Sequence, residues 1–112
     1  RDFLYGGTDA VGDTFVFSTR THSVVGANRD IIYNFTRGAD IIGLSGIDAN
    51  AATPAINDTF LFNGTTARAN SVWYTVTAAG AIVKADVTGD TIADFEIMIS
   101  GVPNLSGADF LL

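Results

Sequence analysis

Short runs of β-branched and aromatic residues, each bounded by Gly, Asn, Asp or Pro, recur along the whole chain. They are "DTFVFST" (13–19), "RDIIYNF" (29–35), "ADIIGL" (39–44), "DTFLFNG" (58–64), "NSVWYTVT" (70–77), "AIVKADV" (81–87), "ADFEIMIS" (93–100) and "ADFLL" (108–112). Each has the length of one strand, so the pattern predicts an all-β domain with mostly antiparallel connections. The clearest local unit is "SVWYTVT" and "AIVKADV" around the short loop "AAG", a hairpin that "TGDT" extends toward "ADFEIMI" as a three-stranded meander. Helix is confined to single turns at "LSGID" (44–48) and "LSGAD" (105–109). There Ser45 or Ser106 precedes Asp48 or Asp109 by three residues, as in a short capping box. Pro54 and Pro103 fall in connections, where a missing N–H costs little.

A chain of 112 residues forms one domain, and its 47% hydrophobic content is enough to fill a core. Only 16% of residues are charged, with a net charge of -6. Phosphate backbones and anionic lipid surfaces repel such a protein, which excludes nucleic acid and stable membrane insertion and favours a cation or a cationic partner. Of the 12 acidic residues all but Glu96 are Asp, the acid suited to tight turns and to metal ligation from loops. Without Cys, disulfides, zinc-thiolate sites and thiol catalysis are absent. There is no basic-plus-apolar leader, and no apolar stretch nears the roughly 20 residues of a membrane helix. A start at Arg1 rather than Met reads as a piece of a longer chain.

The acids gather in two places. In "DFLYGGTDAVGDTFVF" (2–17), Asp2, Leu4, Gly6 and Gly7 match D-x-U-x-G-G, where U is a large apolar residue. This is the junction between consecutive nine-residue calcium-binding repeats of RTX proteins, in which glycines let the turn approach the ion and Asp supplies charge. Regular spacing then calls for Gly at 9 and Asp at 11, but Asp9 and Val11 stand there, and Gly12 and Asp13 follow two residues late. The loop "TDAVGD" is therefore lengthened, and it reads either as a residual calcium site or as a plain acidic turn. In "DVTGDTIAD" (86–94), Asp86, Asp90 and Asp94 occupy positions 1, 5 and 9 of an EF-hand-like spacing, but position 12 is Ile97 instead of a bidentate acid. This stretch too stands open between a calcium loop and a hairpin turn with solvated acids.

The ordered series "GDTFVF", "RDIIYNFTRGADIIGLSGIDAN" and "ADVTGDTIADFEIMISGVPNLSGADFLL" resembles, over essentially the whole chain, the C-terminal region of RTX exoproteins, and in particular the domain that follows the repeats in serralysin-type metalloproteases. The resemblance implies residues 1–12 as the last turn of a parallel calcium β-roll and 13–112 as an antiparallel, sandwich-like β-domain capping it. It implies a non-catalytic module of a protein secreted by a Gram-negative bacterium, calcium as ligand, and calcium-aided folding outside the cell. It further implies an uncleaved secretion signal at Asp109, Phe110, Leu111 and Leu112. A type I system of ABC transporter, membrane-fusion protein and outer-membrane channel would read that signal. The parent chain would add a catalytic or effector domain, on which this module could dock. Against the family pattern, Asn34 stands for an Asp, Gly43 for an acid, Thr88 for Asp or Asn, and Thr91 for Gly. Fewer carboxylates imply weaker calcium sites.

Catalytic readings find no support. His22 is the single histidine, with no H-E-x-x-H around it, and no G-x-S-x-G elbow is present. His22 reads as a loop or surface residue. A second class of function, an extracellular carbohydrate- or protein-binding β-sandwich, would draw on Trp73 and Tyr74. Adjacent strand residues face opposite sides, so these two cannot line one surface, and Trp73 is expected in the core. The Asn-x-Thr triplets at Asn34, Asn57 and Asn63 are read as turn chemistry.

Overall fold

Every one of the eight runs contains a strand, and a ninth lies ahead of them. In a computed structural model describing residues 1–112, the strands are β1 (Phe3–Tyr5), β2 (Thr14–Val16), β3 (Asp30–Tyr33), β4 (Ile41–Gly43), β5 (Leu61–Phe62), β6 (Ser71–Thr77), β7 (Gly80–Ala85), β8 (Phe95–Ser100) and β9 (Phe110–Leu111). Helix amounts to two 3-10 turns, Arg20–His22 and Gly107–Asp109. The "LSGID" stretch forms no helix. It is a tight turn closed by the Ile47 N–H on the Leu44 carbonyl (2.9 Å).

Two sheets result, one with strand order β1-β3-β8-β7-β6-β5 and one with order β2-β4-β9. The expected meander is present, β6 pairing antiparallel with β7 and β7 with β8. Elsewhere the expectation of mostly antiparallel connections is corrected. β1 with β3, β3 with β8, β5 with β6, β2 with β4, and β4 with β9 are all parallel. The chain thus winds three parallel rungs, β1 then β2, β3 then β4, and β8 then β9, each crossing from the large sheet to the small one. β5, β6 and β7 are inserted between the second and third rungs. The all-β class and the joining of a parallel roll to antiparallel strands are as the sequence implied. The roll, however, does not stop at residue 12: its pairing runs across the expected boundary and resumes at residues 95–111.

Side-chain alternation explains the core. From the large sheet Ile32, Val72, Tyr74, Ala81, Val83, Ile97 and Ile99 point inward, and Ile42 and Phe110 meet them from the small one. Burying each large side chain contributes about 1.5–3 kcal/mol. Aromatic contacts tie the layers: Phe17 meets Phe95 edge-on at 5.4 Å, and Phe62 lies 5.3 Å from Phe110 and 6.3 Å from Tyr74. No helix is long and apolar enough to cross a membrane.

At one end of the roll the connections 6–13 and 34–40 lie directly against each other, and two glycines make this possible. A Cβ on Gly12 would sit 2.2 Å from the Ala39 carbonyl oxygen, and one on Gly6 would sit 2.9 Å from that of Asn34. Gly12→Ala must therefore push the first rung off the second. It is expected to cost about 1–3 kcal/mol, read as a lower urea midpoint at unchanged slope; an unchanged midpoint would show that the two loops are not in contact.

Candidate metal centre

Carboxylates placed just ahead of strands organise the loops. Asp40, 2% exposed and one residue before β4, takes the backbone N–H of Asp13 on Oδ1 (2.9 Å) and that of Thr36 on Oδ2 (2.8 Å). Asp30, at the start of β3, takes the N–H of Asp2 on Oδ1 (2.8 Å), while Ser23 Oγ accepts the Asp30 N–H and donates to the Glu96 carbonyl. Asp109, just before β9, accepts the Ser106 N–H (2.8 Å) and Arg37 Nε (3.3 Å) on Oδ2. The first and second rungs, and the second and third, are thus stapled by side chains whose partners on other rungs the sequence does not announce, although the capping-box spacing does foresee the Ser106 N–H on Asp109. The available signal was the recurrence of Asp immediately before a β run, at 13, 40 and 109.

Among the residues considered for calcium, Asp86, Asp90 and Asp94 converge, with ligand oxygens within 4.8 Å of one another. Asp2, Asp9 and Asp13 form no such group. Asp9 is exposed and accepts only the Val11 N–H (3.2 Å), and Gly6 packs 3.0 Å (as an added Cβ) from Asp40 Oδ2. Gly7 adopts φ +74° over open space.

The converged loop joins β7 to β8 and is held from within. The fully buried Asp86 takes the N–H groups of Thr88 and Gly89 on Oδ1 (both 2.9 Å) and that of Thr91 on Oδ2 (2.8 Å). Asp94 Oδ2 takes those of Val87 (2.9 Å) and Thr88 (3.2 Å), and Asp90 Oδ1 that of Ile92 (2.9 Å). These donors offset the mutual repulsion of three neighbouring acids. An all-oxygen set of this kind suits a hard cation such as calcium. Asp90 Oδ2 and Asp94 Oδ1, which accept no hydrogen bond, are the atoms left to meet one. Ile97, at position 12 of the spacing, is fully buried in β8, so no bidentate acid completes the set.

The remaining candidates are placed plainly. His22 is exposed in its 3-10 turn and accepts the Ser18 N–H on Nδ1 (3.3 Å). Trp73 and Tyr74 are both buried, Tyr74 within the core cluster and Trp73 on the other face of its sheet, in register with Lys84 and Glu96. Neither offers a ring to a sugar. Asn34 takes φ 59°, Asn57 Nδ2 bonds the Ser45 carbonyl (2.9 Å) and Asn63 Nδ2 that of Thr66 (2.8 Å), which is turn chemistry as expected. Asn70, which the sequence did not single out, ties Ala49 to the strand β6 (Nδ2 to O, 2.8 Å).

The model of the family described as Peptidase M10 serralysin C terminal matches residues 3–112. The chain belongs to that family. Members of that family are C-terminal, non-catalytic modules of secreted serralysin-type proteins. No curated protein matches. Among solved structures, the R2 subunit of the mannuronan C5-epimerase AlgE6 from Azotobacter vinelandii is similar, at 26% identity and a TM-score of 0.63, over 100% of this chain and 65% of that one. The module therefore spans about two thirds of that neighbour's length.

Two measurements follow from the acidic loop. Burial pushes the Asp86 carboxyl up, but the N–H groups of Thr91, Gly89 and Thr88 together outweigh it, leaving the pKa below its ordinary 3.8; Asp48 is lowered too, chiefly by the N–H groups of Asn50 and Asp58. A depressed pKa stabilises the fold above the unfolded value and is lost as pH falls through the folded one. Stability should accordingly drop as pH falls below about 4. In Asp86→Asn, which turns a donor toward the Thr91 N–H and costs about 2–3 kcal/mol at neutral pH, urea midpoints should fall less on acidification than in the parent. A parallel fall would exclude Asp86 as a source. Secondly, Thr91, where the family has Gly, adopts φ 66°, a left-handed conformation costing a side chain about 1–2 kcal/mol. Thr91→Gly should raise the melting temperature despite the added chain entropy, and a lower one would show that the Thr91 hydroxyl bond to the Asp90 carbonyl outweighs that relief.

Proposed function

We propose that this module carries the type I secretion signal of its parent at residues 109–112 and helps that protein to fold in extracellular calcium. What supports the export reading is the acid-then-hydrophobic ending Asp109, Phe110, Leu111 and Leu112 in a chain whose family sits at the C-terminus of secreted proteins. The ABC transporter, membrane-fusion protein and outer-membrane channel of a type I system are its partners, and the parent's catalytic or effector domain is its cargo. Calcium belongs to the reading through the all-oxygen cluster of Asp86, Asp90 and Asp94. An ion that binds only the folded form stabilises it by mass action. Held there, it would tie the end of β7 to the start of β8.

The test of export separates signal from fold. Removing residues 109–112 would also remove β9 and Phe110 from the core, so a deletion alone cannot distinguish a lost signal from an unfolded module. Leu111 is 57% exposed, and its side chain can be changed without disturbing the core. A reporter fused ahead of the module should reach the medium of cells bearing a type I system. Leu111→Asp should cut that export severalfold while leaving the purified domain's melting temperature within a few degrees. Export equal to the parent's from both Leu111→Asp and the deletion would remove the signal from these residues. Millimolar calcium should raise the melting temperature of the parent but not of a variant combining Asp90→Asn and Asp94→Asn; a flat response in both would dispose of the ion.

A further inference from the structure

Asn63 precedes Gly64, the single Asn-Gly step in the chain, and the pair follows directly on β5. Its backbone prolongs the β5 pairing: the Asn63 N–H donates to the Val72 carbonyl (2.8 Å), and the Gly64 carbonyl accepts from the Tyr74 N–H (3.0 Å). The Gly64 N–H itself meets no acceptor. Gly64 has φ +63° and open space where a Cβ would stand, so neither a side chain of its own nor a packed neighbour crowds it on that side. One contact restrains the side-chain amide, Asn63 Nδ2 on the Thr66 carbonyl (2.8 Å). The other asparagines lack this combination. The N–H that follows Asn28, Asn50 or Asn57 is already bonded, that of Arg29 to the Gly26 carbonyl (3.2 Å), that of Ala51 to the Val87 carbonyl (2.8 Å) and that of Asp58 to Asp48 Oδ1 (3.0 Å). Asn34, Asn70 and Asn104 are followed by Phe35, Ser71 and Leu105, each with a Cβ beside the nitrogen.

We propose that Asn63 is the site at which the folded module deamidates by itself, and that the product unfastens β5. The Gly64 nitrogen attacks Asn63 Cγ, so that an N–Cγ bond forms and the Cγ–Nδ2 bond breaks. The Gly64 proton passes through solvent to Nδ2, which leaves as ammonia. Water then opens the succinimide at one of its two carbonyls, giving either aspartate or, with the backbone rerouted through the side chain, isoaspartate. Ring closure needs the bond to Thr66 to break, and that bond lies beside an edge strand two residues long, where local opening costs little. Isoaspartate adds a methylene between the Asn63 N–H and the Gly64 carbonyl, so the two cannot both keep their partners Val72 and Tyr74. Aspartate leaves the backbone path unchanged and removes only the donor to Thr66. Because β6 is the only strand beside β5, the rerouted chain also loosens Phe62 from Phe110 and Tyr74.

The test keeps the purified protein folded in mildly alkaline buffer, well below its melting temperature, and samples it over days. Cleavage after Arg37 and Arg68 releases residues 38–68, which carry Asn50, Asn57 and Asn63 in one peptide. Fragment masses should show Asn63 converted to the acid severalfold faster than Asn50 or Asn57, with isoaspartate among the products. Asn63→Gln, whose longer side chain closes a larger ring more slowly, should stay unconverted over the same period. Hydrogen exchange then reads the consequence. The Tyr74 N–H should lose protection in the isoaspartyl fraction, whereas Asn63→Asp, with its backbone path intact, should keep it. Conversion of Asn63 in urea but not in the folded protein, equal conversion at Asn50 or Asn57, or Tyr74 exchange as slow in the isoaspartyl fraction as in fresh protein would each overturn the proposal.

Discussion

A parallel roll is held together by what passes between its rungs. Each strand here is short, and β2, β4 and β9 amount to three residues or fewer apiece, too little for ladder hydrogen bonds alone to fix their register. The register comes instead from the loops, where carboxylates of one rung accept N–H groups or an arginine from the next. Asp30 fixes the start of β1 against β3, Asp40 fixes β2 against β4, and Asp109 fixes the third rung to the second. A slip by one residue would turn the inward face outward, so these few charged contacts decide the whole core. Gly6 and Gly12 belong to the same constraint, since the staples reach only if the loops touch.

The elements were legible because β-branched alternation bounded by Gly, Asn and Asp has few other outcomes. What the alternation does not encode is the partner. "ADFEIMIS" reads as the third strand of a meander, and it is, but its other edge pairs Ile31 with Met98 and so returns to a strand far back in the sequence. Nothing local distinguishes that double role. β1, three residues long and running straight into a Gly pair, was seen only through the repeat motif at Asp2, Leu4, Gly6 and Gly7.

The acids divide in the same way. Spacing picked out Asp86, Asp90 and Asp94, and these do converge, because a tight hairpin loop brings residues four apart together whatever the rest of the fold does. Spacing could not reveal the work of Asp30, Asp40 and Asp109, whose partners lie on other rungs. An Asp before a strand looks the same in sequence whether it faces an ion, water or a backbone N–H. Thr88 and Thr91 sharpen the point. Thr88 removes a carboxylate or amide ligand and Thr91 adds a hydroxyl, and the Thr88 hydroxyl lies 3.2 Å from both Asp86 and Asp94, so the loop gains an internal bridge where it loses a ligand.

The acidic loop and the closing strand β9 are linked through β8. That strand lies between β7, to which the loop attaches it, and β3, on which the third rung is built, and it leads through residues 101–109 into β9. Ordering the loop fixes the start of β8 against the end of β7. This shortens the search for its pairing with β3, because closing a smaller effective loop costs less entropy. Whatever stabilises the Asp86 loop, its own N–H groups or a cation, therefore favours arrival of β9 beside β4 although the two sites share no residue. The coupling is reciprocal, so packing of β9 beside β4 favours the ordered Asp86 loop to the same extent.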